Sequence, residues 1–338
     1  MAMIDMLEAT RLTRAGRLLE ATAAIQRALQ ARRAPRPHSD NARVIEGEFS
    51  RVDDPGFIAG SYTHQQGARP YKLYIPTAYT TATTAKALPL VVMLHGCTQN
   101  PDDFAAGTRM NAIAEERQCF VLYPAQTRTA NRSQCWNWFK RAHQRRDKGE
   151  PAIIAGMTRE IVKRYGIDAR KVYVAGLSAG GAMAAVMCAA YPDVYAAVGI
   201  HSGLPVGSAH DVQSAFAAMR GAPRVSGANA IAGGITPAIV FHGDCDATVH
   251  PCNGAQVASQ CAGRHEQTLD VVVQRGQVPG GHAYTRSVHK DATGRIVLEH
   301  WEVHGTGHAW SGGSTAGSHT DPNGPDAARE MMRFFSSS

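Results

Sequence analysis

Several features that would place the chain in a specialised class are absent from its sequence. No apolar run approaches the roughly 20 residues of a bilayer-spanning helix. Asp5 and Glu8 lie where a secretory signal peptide needs a basic start and an uninterrupted apolar segment. There is no internal repeat, no Cys/His spacing of a structural zinc site, and no basic repeat interleaved with aromatic residues. We therefore expect a cytoplasmic globular protein with no metal and no nucleic-acid partner.

The length and composition fit a single large core. The chain has 338 residues, of which 44% are hydrophobic, and α/β folds of this size often form one domain. The formal net charge is +7, and it is spread along the chain except at the N-terminus. We expect residues 42–338 to form this domain.

Residues 1–41 form a distinct piece, predicted to be an amphipathic helix over 1–37 followed by a linker. Seven arginines against three acidic residues give residues 1–37 a net charge of +4. Pro35 and Pro37 end the helix. Two roles stay open: packing on the body or on a second copy in a homodimer, or contact with the surface of a granule, membrane or polymer.

The remaining chain predicts an α/β fold with a mostly parallel central sheet and helices on both faces. Residues 43–52 and 60–75 have period-two patterns typical of antiparallel strands, with a turn at 65–67. Residues 88–96 are a continuous apolar run, as in strands buried on both faces. Further strands are predicted at 120–124, 171–176, 195–200, 238–242 and 269–274, a hairpin at 284–289 and 295–304, and helices at 152–165 and 325–335.

The stretch from Val172 to Met187 has the pattern of a nucleophile elbow. A β-branched, apolar strand runs into Gly176-Leu177-Ser178-Ala179-Gly180 and then into a run of helix-forming residues. Glycines two residues before and after Ser178 let the strand and the helix approach each other around a sharp turn. Ser178 is therefore predicted to be the nucleophile, at a helix N-terminus that favours negative charge.

A serine nucleophile needs oxyanion donors, a general base and an acid that orients the base. In hydrolases of this architecture the loop after a strand such as 88–96 supplies one backbone N–H, so we predict Cys97 and Ala179 as the two donors, with His95 as a loop organiser. The acid and the histidine follow the serine in that order, at strand ends. His308 lies beyond two glycines on a free loop, whereas His304 continues the strand pattern, which favours His308 as the base.

Two aspartates are available as the acid that orients this base. Asp246 lies further into its loop than Asp244, whose position is typical of a residue that braces the turn. We therefore predict Asp246 as the acid of the triad.

Five ordered motifs together resemble the catalytic domain of the poly(3-hydroxybutyrate) depolymerase family, which is related to feruloyl and acetylxylan esterases. The motifs are Leu94-His95-Gly96-Cys97-Thr98-Gln99, Gln134-Cys135-Trp136-Asn137-Trp138-Phe139, Gly176 to Gly181, His242 to Val249, and Gly307-His308-Ala309-Trp310. The resemblance implies an α/β-hydrolase fold, a serine esterase mechanism without cofactor, and short-chain polyhydroxyalkanoates or similar esters as substrates. It supports Ser178, Asp246 and His308 as the triad and Cys97 as a donor. Some members of this family degrade polymer outside the cell, so the resemblance also implies an extracellular location as the alternative to a cytoplasmic one.

The same motif regions suggest further residues of the site. Trp136, Trp138 and Trp310 lie in loops near the motifs and are predicted either to line a cleft for an apolar acyl chain or simply to pack. Seven cysteines are present, and the proposed disulfides are Cys97–Cys135 and Cys252–Cys261, with Cys119 and Cys188 buried in a strand and a helix.

The sequence thus predicts a serine esterase that hydrolyses poly(3-hydroxybutyrate) or its oligomers. The nearer alternative is a feruloyl, acetylxylan or other small-ester carboxylesterase. An alternative of another class is a non-catalytic binding protein of the same fold, although such proteins usually lose a triad member, and all three members have candidates here.

Overall fold

The computed structural model describes residues 56–79, 87–221, 236–263 and 268–337. Its strands are β1 Phe57–His64, β2 Gly67–Tyr74, β3 Leu90–Leu94, β4 Phe120–Pro124, β5 Val172–Leu177, β6 Ala197–His201, β7 Ala238–Gly243, β8 Asp270–Gln277, β9 Ala283–Lys290, β10 Ile296–Val303, β11 Trp310–Ser311 and β12 Thr320–Asp321. Ten of these strands form one sheet in the order β1-β2-β4-β3-β5-β6-β7-β10-β9-β8. The six central strands, from β4 to β10, run parallel to their neighbours. An antiparallel hairpin flanks them at each end, β1/β2 on one side and β9/β8 on the other. The predicted mostly parallel α/β architecture is confirmed.

The elements follow one another along the chain in an alternating pattern. The helices are α1 Pro101–Thr108, α2 Met110–Arg117, α3 Gly149–Tyr165, α4 Ala179–Ala190, α5 Val212–Met219, α6 Cys252–Ala262 and α7 Ala327–Phe335. A short 3₁₀ turn spans Arg141–Gln144.

The central strands are buried because both faces of the sheet are covered. Successive side chains of a strand point to opposite faces. In β3, Leu90, Val92 and Leu94 accordingly join one core with α3 and α4, while Val91 and Met93 join the other with α1, α2 and α7. A strand covered on both sides has no polar face, which explains the continuous apolar run in the sequence. Within the described ranges, no helix combines the length and the apolar composition that crossing a bilayer requires.

One predicted strand does not belong to the parallel part of the sheet. The strand expected at 269–274 is β8, which lies at the sheet edge and pairs antiparallel with β9. The five residues between β8 and β9 allow only a hairpin, because a parallel crossover needs about a dozen residues or more. The predictions for the helix and linker at 1–41 and for the strand at 43–52 fall outside the described residues.

Helix α4 approaches the sheet more closely than a side chain would permit. A Cβ on Gly180 would overlap the carbonyl oxygen of Leu94, and a Cβ on Gly176 would overlap the carbonyl group of Gly180. All twelve residues of α4 are buried. Glycine at these two positions therefore brings the first turn of the helix against β3 and β5.

We predict that Gly180→Ala strongly destabilises the protein. The new methyl group meets rigid backbone, so the expected loss is about 3 kcal/mol, the upper end for overpacked cores. Gly166→Ala is the matched control, because nothing lies within 4 Å of its added Cβ although its φ is +62°; we expect about 1 kcal/mol there. Urea unfolding of both variants measures the difference, and equal losses would contradict the close approach.

Candidate active site

Ser178 lies at the turn between β5 and α4, in a strained backbone conformation. Its φ is 57° and its ψ is −118°, a region that non-glycine residues rarely adopt. The Ser178 N–H donates to the carbonyl oxygen of His201 at the end of β6 (2.9 Å). Such strain persists where the surroundings over-determine it, and here the buried strand before Ser178 and the buried helix after it do so.

Asp246 follows β7 in a loop that supplies its carboxylate with hydrogen-bond donors. Oδ1 accepts from the N–H groups of Thr248 (2.9 Å) and Val249 (2.8 Å), while Oδ2 lies 2.6 Å from His308 Nδ1 and 3.4 Å from His242 Nε2. Burial alone would raise the pKa of this carboxyl, but the hydrogen bonds from His242, His308 and Val249 hold it well below its usual range. Asp246 is therefore a buried, ionised acceptor.

His308 lies in the loop after β10, and Asp246 fixes its tautomer. Because the Asp246 carboxylate only accepts, His308 Nδ1 must carry the proton of the 2.6 Å hydrogen bond. Nε2 is then the nitrogen that can accept, and it has no hydrogen-bond partner among the described residues. The ring has the orientation that a general base needs, with one nitrogen anchored and the other available.

In the neighbouring pair, Asp244 and His304, both carboxylate oxygens and both ring nitrogens already have hydrogen-bond partners. His304 Nδ1 lies 2.9 Å from Asp244 Oδ2, and His304 Nε2 lies 2.9 Å from Thr285 Oγ1. The second oxygen of Asp244 accepts from the Gly305 N–H (2.7 Å). Asp244 therefore braces the turn as expected, and His304 has no nitrogen left to act on a substrate.

His201 connects the turn at Ser178 with the loop that carries His308. Its carbonyl oxygen holds the Ser178 N–H, and its Nε2 accepts the N–H of Ser311 (3.0 Å). The parallel registers align Leu177 with His201 and His201 with Phe241. The carboxyl ends of β5, β6, β7 and β10 consequently meet at one edge of the sheet, where Ser178, Asp246 and His308 follow three of them.

The loop after β3 carries Cys97, the first predicted oxyanion donor. Gly96 N–H donates to Gln99 Oε1 (2.9 Å), Thr98 N–H to Ser133 O (2.7 Å) and Gln99 N–H to Gly96 O (3.4 Å). Of the four N–H groups from residue 96 to residue 99, only that of Cys97 has no acceptor in the described part of the chain. A Cβ on Gly96 would lie 3.7 Å from Ser178 Cβ, so this loop runs alongside Ser178.

Ala179, the second predicted donor, begins helix α4. The first N–H groups of a helix have no acceptor in the preceding turn. The Ala179 N–H is therefore available next to Ser178, the predicted nucleophile. Together with Cys97, it offers two backbone donors beside the serine.

Of the two proposed disulfides, one is confirmed and one is wrong. Cys97 and Cys135 are joined, with an S–S distance of 2.07 Å, and the bridge ties the Cys135–Trp138 loop to the oxyanion loop. Cys252 and Cys261 are not bonded to each other. They lie at opposite ends of α6 with eight residues between them, and nine helical steps of about 1.5 Å place their Cα atoms about 13 Å apart, beyond the reach of a disulfide. Cys119 and Cys188 are buried as expected.

The three tryptophans expected near an acyl cleft are core residues in the structure. Trp136, Trp138 and Trp310 are 0%, 6% and 1% exposed. Trp136 lies against the His95 ring (5.6 Å between centroids), and Trp310 stacks on His201 (5.0 Å). Both tryptophan rings are buried, and each packs against one of the histidines behind the site. The geometry thus favours packing over a direct contact with an acyl chain.

Several buried polar residues around the site had no predicted role. His201, His242, Gln126 and Glu150 are each at most 2% exposed and lie in hydrogen-bond networks behind the strand ends. The only signal available in the sequence was a polar residue within or next to an apolar run, as in the case of His201 and His242. Within the described residues, no three His, Cys, Asp or Glu side chains are placed to share a metal ion.

The strand order, the turn at Ser178 and the His308–Asp246 pair define an α/β-hydrolase. The solved acetyl xylan esterase from Aspergillus awamori has the same fold, with a TM-score of 0.64 and 20% sequence identity over 83% of this chain and all of that one. The α/β-hydrolase fold expected from the motifs is confirmed.

A family model described as Esterase PHB depolymerase matches residues 69–277, and the chain belongs to this family. It is 35% identical to poly(3-hydroxyalkanoate) depolymerase C of Paucimonas lemoignei over 65% of this chain and 54% of that protein. It is also 29% identical to the poly(3-hydroxybutyrate) depolymerase of Ralstonia pickettii, over 73% and 53%. A probable acetylxylan esterase A of Aspergillus fumigatus is 27% identical over 65% and 60%. The chain spans about half the length of the two depolymerases.

We predict that the free energy of unfolding falls as the pH is lowered from about 6.5 towards 4. Burial lowers the pKa of His95 to about 4 and that of His201 to about 3, whereas an unfolded histidine titrates near 6.5. In this window the unfolded chain binds more protons than the folded one, so acid favours unfolding by up to about 1.4 kcal/mol per pH unit for each histidine.

Urea unfolding at several pH values measures this slope, and His201→Phe tests its origin. The phenyl ring retains stacking on Trp310 but cannot accept the Ser311 N–H, so the variant should lose about 1–3 kcal/mol at pH 7 and show a shallower pH slope. A slope equal to that of the wild type would exclude His201 as a contributor.

Proposed function

We propose that the protein is a serine esterase that hydrolyses poly(3-hydroxybutyrate) or its short-chain oligomers through an acyl-enzyme. The observation that carries this proposal is the 2.6 Å hydrogen bond between His308 and Asp246, at the edge of the sheet where Ser178 follows β5. The depolymerases among the relatives support the substrate class.

The mechanism assigns one role to each member of the site. His308 Nε2 takes the proton of Ser178 Oγ, the oxygen attacks the ester carbonyl, and the N–H groups of Cys97 and Ala179 hold the oxyanion. His308 then gives this proton to the departing alkoxide oxygen, which leaves as an alcohol. Water then attacks the acyl-enzyme while His308 takes one of its protons. As the bond between the acyl carbon and Ser178 Oγ breaks, His308 returns this proton to Oγ, and the carboxylic acid is released. Asp246 remains ionised and holds the Nδ1–H of the imidazolium form.

A small-ester carboxylesterase with the same triad is the second candidate function. The acetylxylan esterase relatives favour it, because the one from Aspergillus fumigatus matches as large a share of this chain, 65%, as the depolymerase of Paucimonas lemoignei does. Hydroxybutyrate oligomers compared with acetyl-sugar and feruloyl esters at equal enzyme concentration discriminate the two. A kcat/KM higher for the sugar or feruloyl esters would select this second function.

We predict that Ser178→Ala and His308→Ala each lower ester turnover by about four to six orders of magnitude, since triad members act as a unit. Asp246→Asn should cost about 10⁴-fold, because the His308 ring loses its anchored tautomer. Initial rates on a soluble hydroxybutyrate ester measure these effects.

His304→Ala is the matched control for the base. It removes a similar histidine–aspartate contact from the same region, that of His304 Nδ1 with Asp244 Oδ2 at 2.9 Å. It should retain turnover within about threefold of the wild type. Loss of turnover in His304→Ala with retention in His308→Ala would overturn the assignment. Full activity of Ser178→Ala would support the non-catalytic alternative for this site.

The proposal also covers the role of residues 1–37 and the cellular location of the protein. A granule-associated cytoplasmic protein would use the arginine-rich segment as a surface contact, whereas in a homodimer the same segment would pack on a second copy. The Cys97–Cys135 disulfide favours the extracellular alternative, because thiols in the cytosol are kept reduced.

If residues 1–37 contact a surface, their deletion should leave hydrolysis of a soluble ester nearly unchanged but weaken sedimentation with hydroxybutyrate granules. The attachment should fall as salt is added, since exposed charges are screened within about 8 Å at physiological ionic strength. If the segment packs on the body or in a dimer, the deletion should instead lower the melting temperature or give a monomer by size-exclusion chromatography. A truncated protein that binds granules equally well contradicts the surface role.

A further inference from the structure

The Glu150 carboxylate, in the first turn of α3, is buried and has no part in the mechanism above. Its side chain is 1% exposed, yet groups from three other segments converge on it. Asn137 donates twice, from its backbone N–H (2.7 Å) and from Nδ2 (2.6 Å), and Gln126 Nε2 donates at 2.5 Å. Arg69 Nη2 lies at 3.4 Å and His143 Nδ1 at 3.3 Å. A carboxylate surrounded in this way fixes the positions of its donors.

Glu150 is ionised in this setting. Burial alone would raise the pKa of its carboxyl group, but the contacts with His143 and the hydrogen bonds from Gln126 and Asn137 outweigh this effect and hold the pKa below its usual value. An ionised carboxylate accepts through both oxygens and donates nothing. Arg69, Gln126 and Asn137 must therefore each present an N–H to it.

Gln126 connects this carboxylate to the strand that ends at the oxyanion loop. Its Nε2 also donates to the carbonyl oxygen of Cys135 (3.0 Å), and its backbone N–H donates to His95 Nε2 (3.1 Å). Since Nε2 of His95 accepts, the ring proton is on Nδ1, which donates to the carbonyl oxygen of Gly96 (2.8 Å). The position of Gln126 thus fixes the His95 ring, and through it the Gly96 carbonyl, which belongs to the same peptide group as the Cys97 N–H.

The second path from Glu150 runs through the loop that carries Cys135. Asn137 is held by Glu150 through both its backbone and its side chain, two residues after Cys135. The Cys97–Cys135 disulfide and the hydrogen bond from Thr98 N–H to Ser133 O (2.7 Å) attach this loop to the oxyanion loop. Cys97 is therefore held by its own side chain and by both neighbouring peptide groups.

We propose that Glu150 is a positioning residue that sets the place of the Cys97 N–H through Gln126, His95 and the Cys97–Cys135 bridge, an inference that rests on the proposed serine esterase function. An oxyanion donor works only where it is held at hydrogen-bond distance from the developing charge. Glu150→Gln replaces one carboxylate oxygen with an NH₂ group, which cannot accept the hydrogen bonds of the surrounding donors. At least one donor must then turn away, and the two loops shift with it.

The test compares Glu150→Gln with Glu299→Gln in the full-length chain. Glu299 is an equally buried carboxylate, with a fully covered side chain that accepts from Arg286 (2.7 Å), Arg333 (2.7 Å) and Trp301 Nε1 (3.1 Å). It lies in β10, four strands away from β3 in the sheet order. Both substitutions remove a buried negative charge from its donors, so both should lower the melting temperature. Only Glu150 is connected to the oxyanion loop.

Three measurements separate positioning from a general loss of stability. A fluorophosphonate that titrates the nucleophile gives the concentration of active sites, and a soluble hydroxybutyrate ester gives kcat and KM per site. A trifluoromethyl ketone, whose adduct with the serine places an oxyanion between the same N–H groups, gives an inhibition constant. We expect Glu150→Gln to lower kcat per site by about 10- to 100-fold, with KM within about threefold, and to weaken the ketone by the same factor as kcat/KM. Glu299→Gln should keep all three values within about twofold of the wild type.

Gln126→Leu serves as the second variant if Glu150→Gln does not fold. It removes the Nε2 hydrogen bonds to Glu150 and Cys135 but retains the backbone N–H that holds His95. The expected result is again a parallel loss in kcat per site and in ketone affinity. Wild-type values per site in the folded variants, or an equal loss in Glu299→Gln, would overturn the proposal. Failure of the fluorophosphonate to label Ser178 in the wild type would instead overturn the serine esterase function, and this inference with it.

Discussion

The structure depends on the strained turn at Ser178, which exists only because the backbone on either side of it is immobilised. Strand β5 lies in the middle of the sheet with a partner on each side, and α4 lies against it through two glycines. The Ser178 N–H is bound to His201, so the turn cannot relax towards an ordinary conformation without breaking a buried hydrogen bond. The energetic cost of the strain, about 1–3 kcal/mol, is met by the burial of the neighbouring strand and helix.

Behind the strand ends, polar side chains are buried in fixed tautomers and charge states. His95 and His201 each accept a backbone N–H at Nε2, and burial keeps both rings neutral. Asp246 and Glu150 are ionised, because several donors surround each carboxylate. In a low-dielectric interior an unpaired carboxylate would be costly, so Asp246 and Glu150 favour the one arrangement in which their donors reach them. That single arrangement explains how loops far apart in sequence reach the same edge of the sheet.

The features that could be predicted from the sequence are those that depend on short stretches of chain. The Ser178 turn is encoded in glycine spacing between an apolar strand and a helix, and the distinction between His308 and His304 followed from where the strand pattern ends. The environment of Glu150 could not be predicted in this way, because its donors come from residues 69 to 143 and meet only in the folded protein. Trp136 and Trp310 were ambiguous for a related reason: an aromatic residue in a loop has the same sequence pattern whether it faces a cleft or a core. The Cys252–Cys261 pairing failed because a regular helix separates the two residues.

The complete burial of helix α4 determines how the site can be inactivated by unfolding. Each of its twelve residues is buried, and none is charged. The helix therefore cannot detach from the sheet without exposing its whole apolar surface to water, which costs the free energy that its burial contributes. Opening of the segment that carries the Ser178 turn is therefore coupled to opening of the core that covers it. Heat inactivation and global unfolding of this molecule should consequently share one barrier, and the lifetime of the site is the lifetime of the fold.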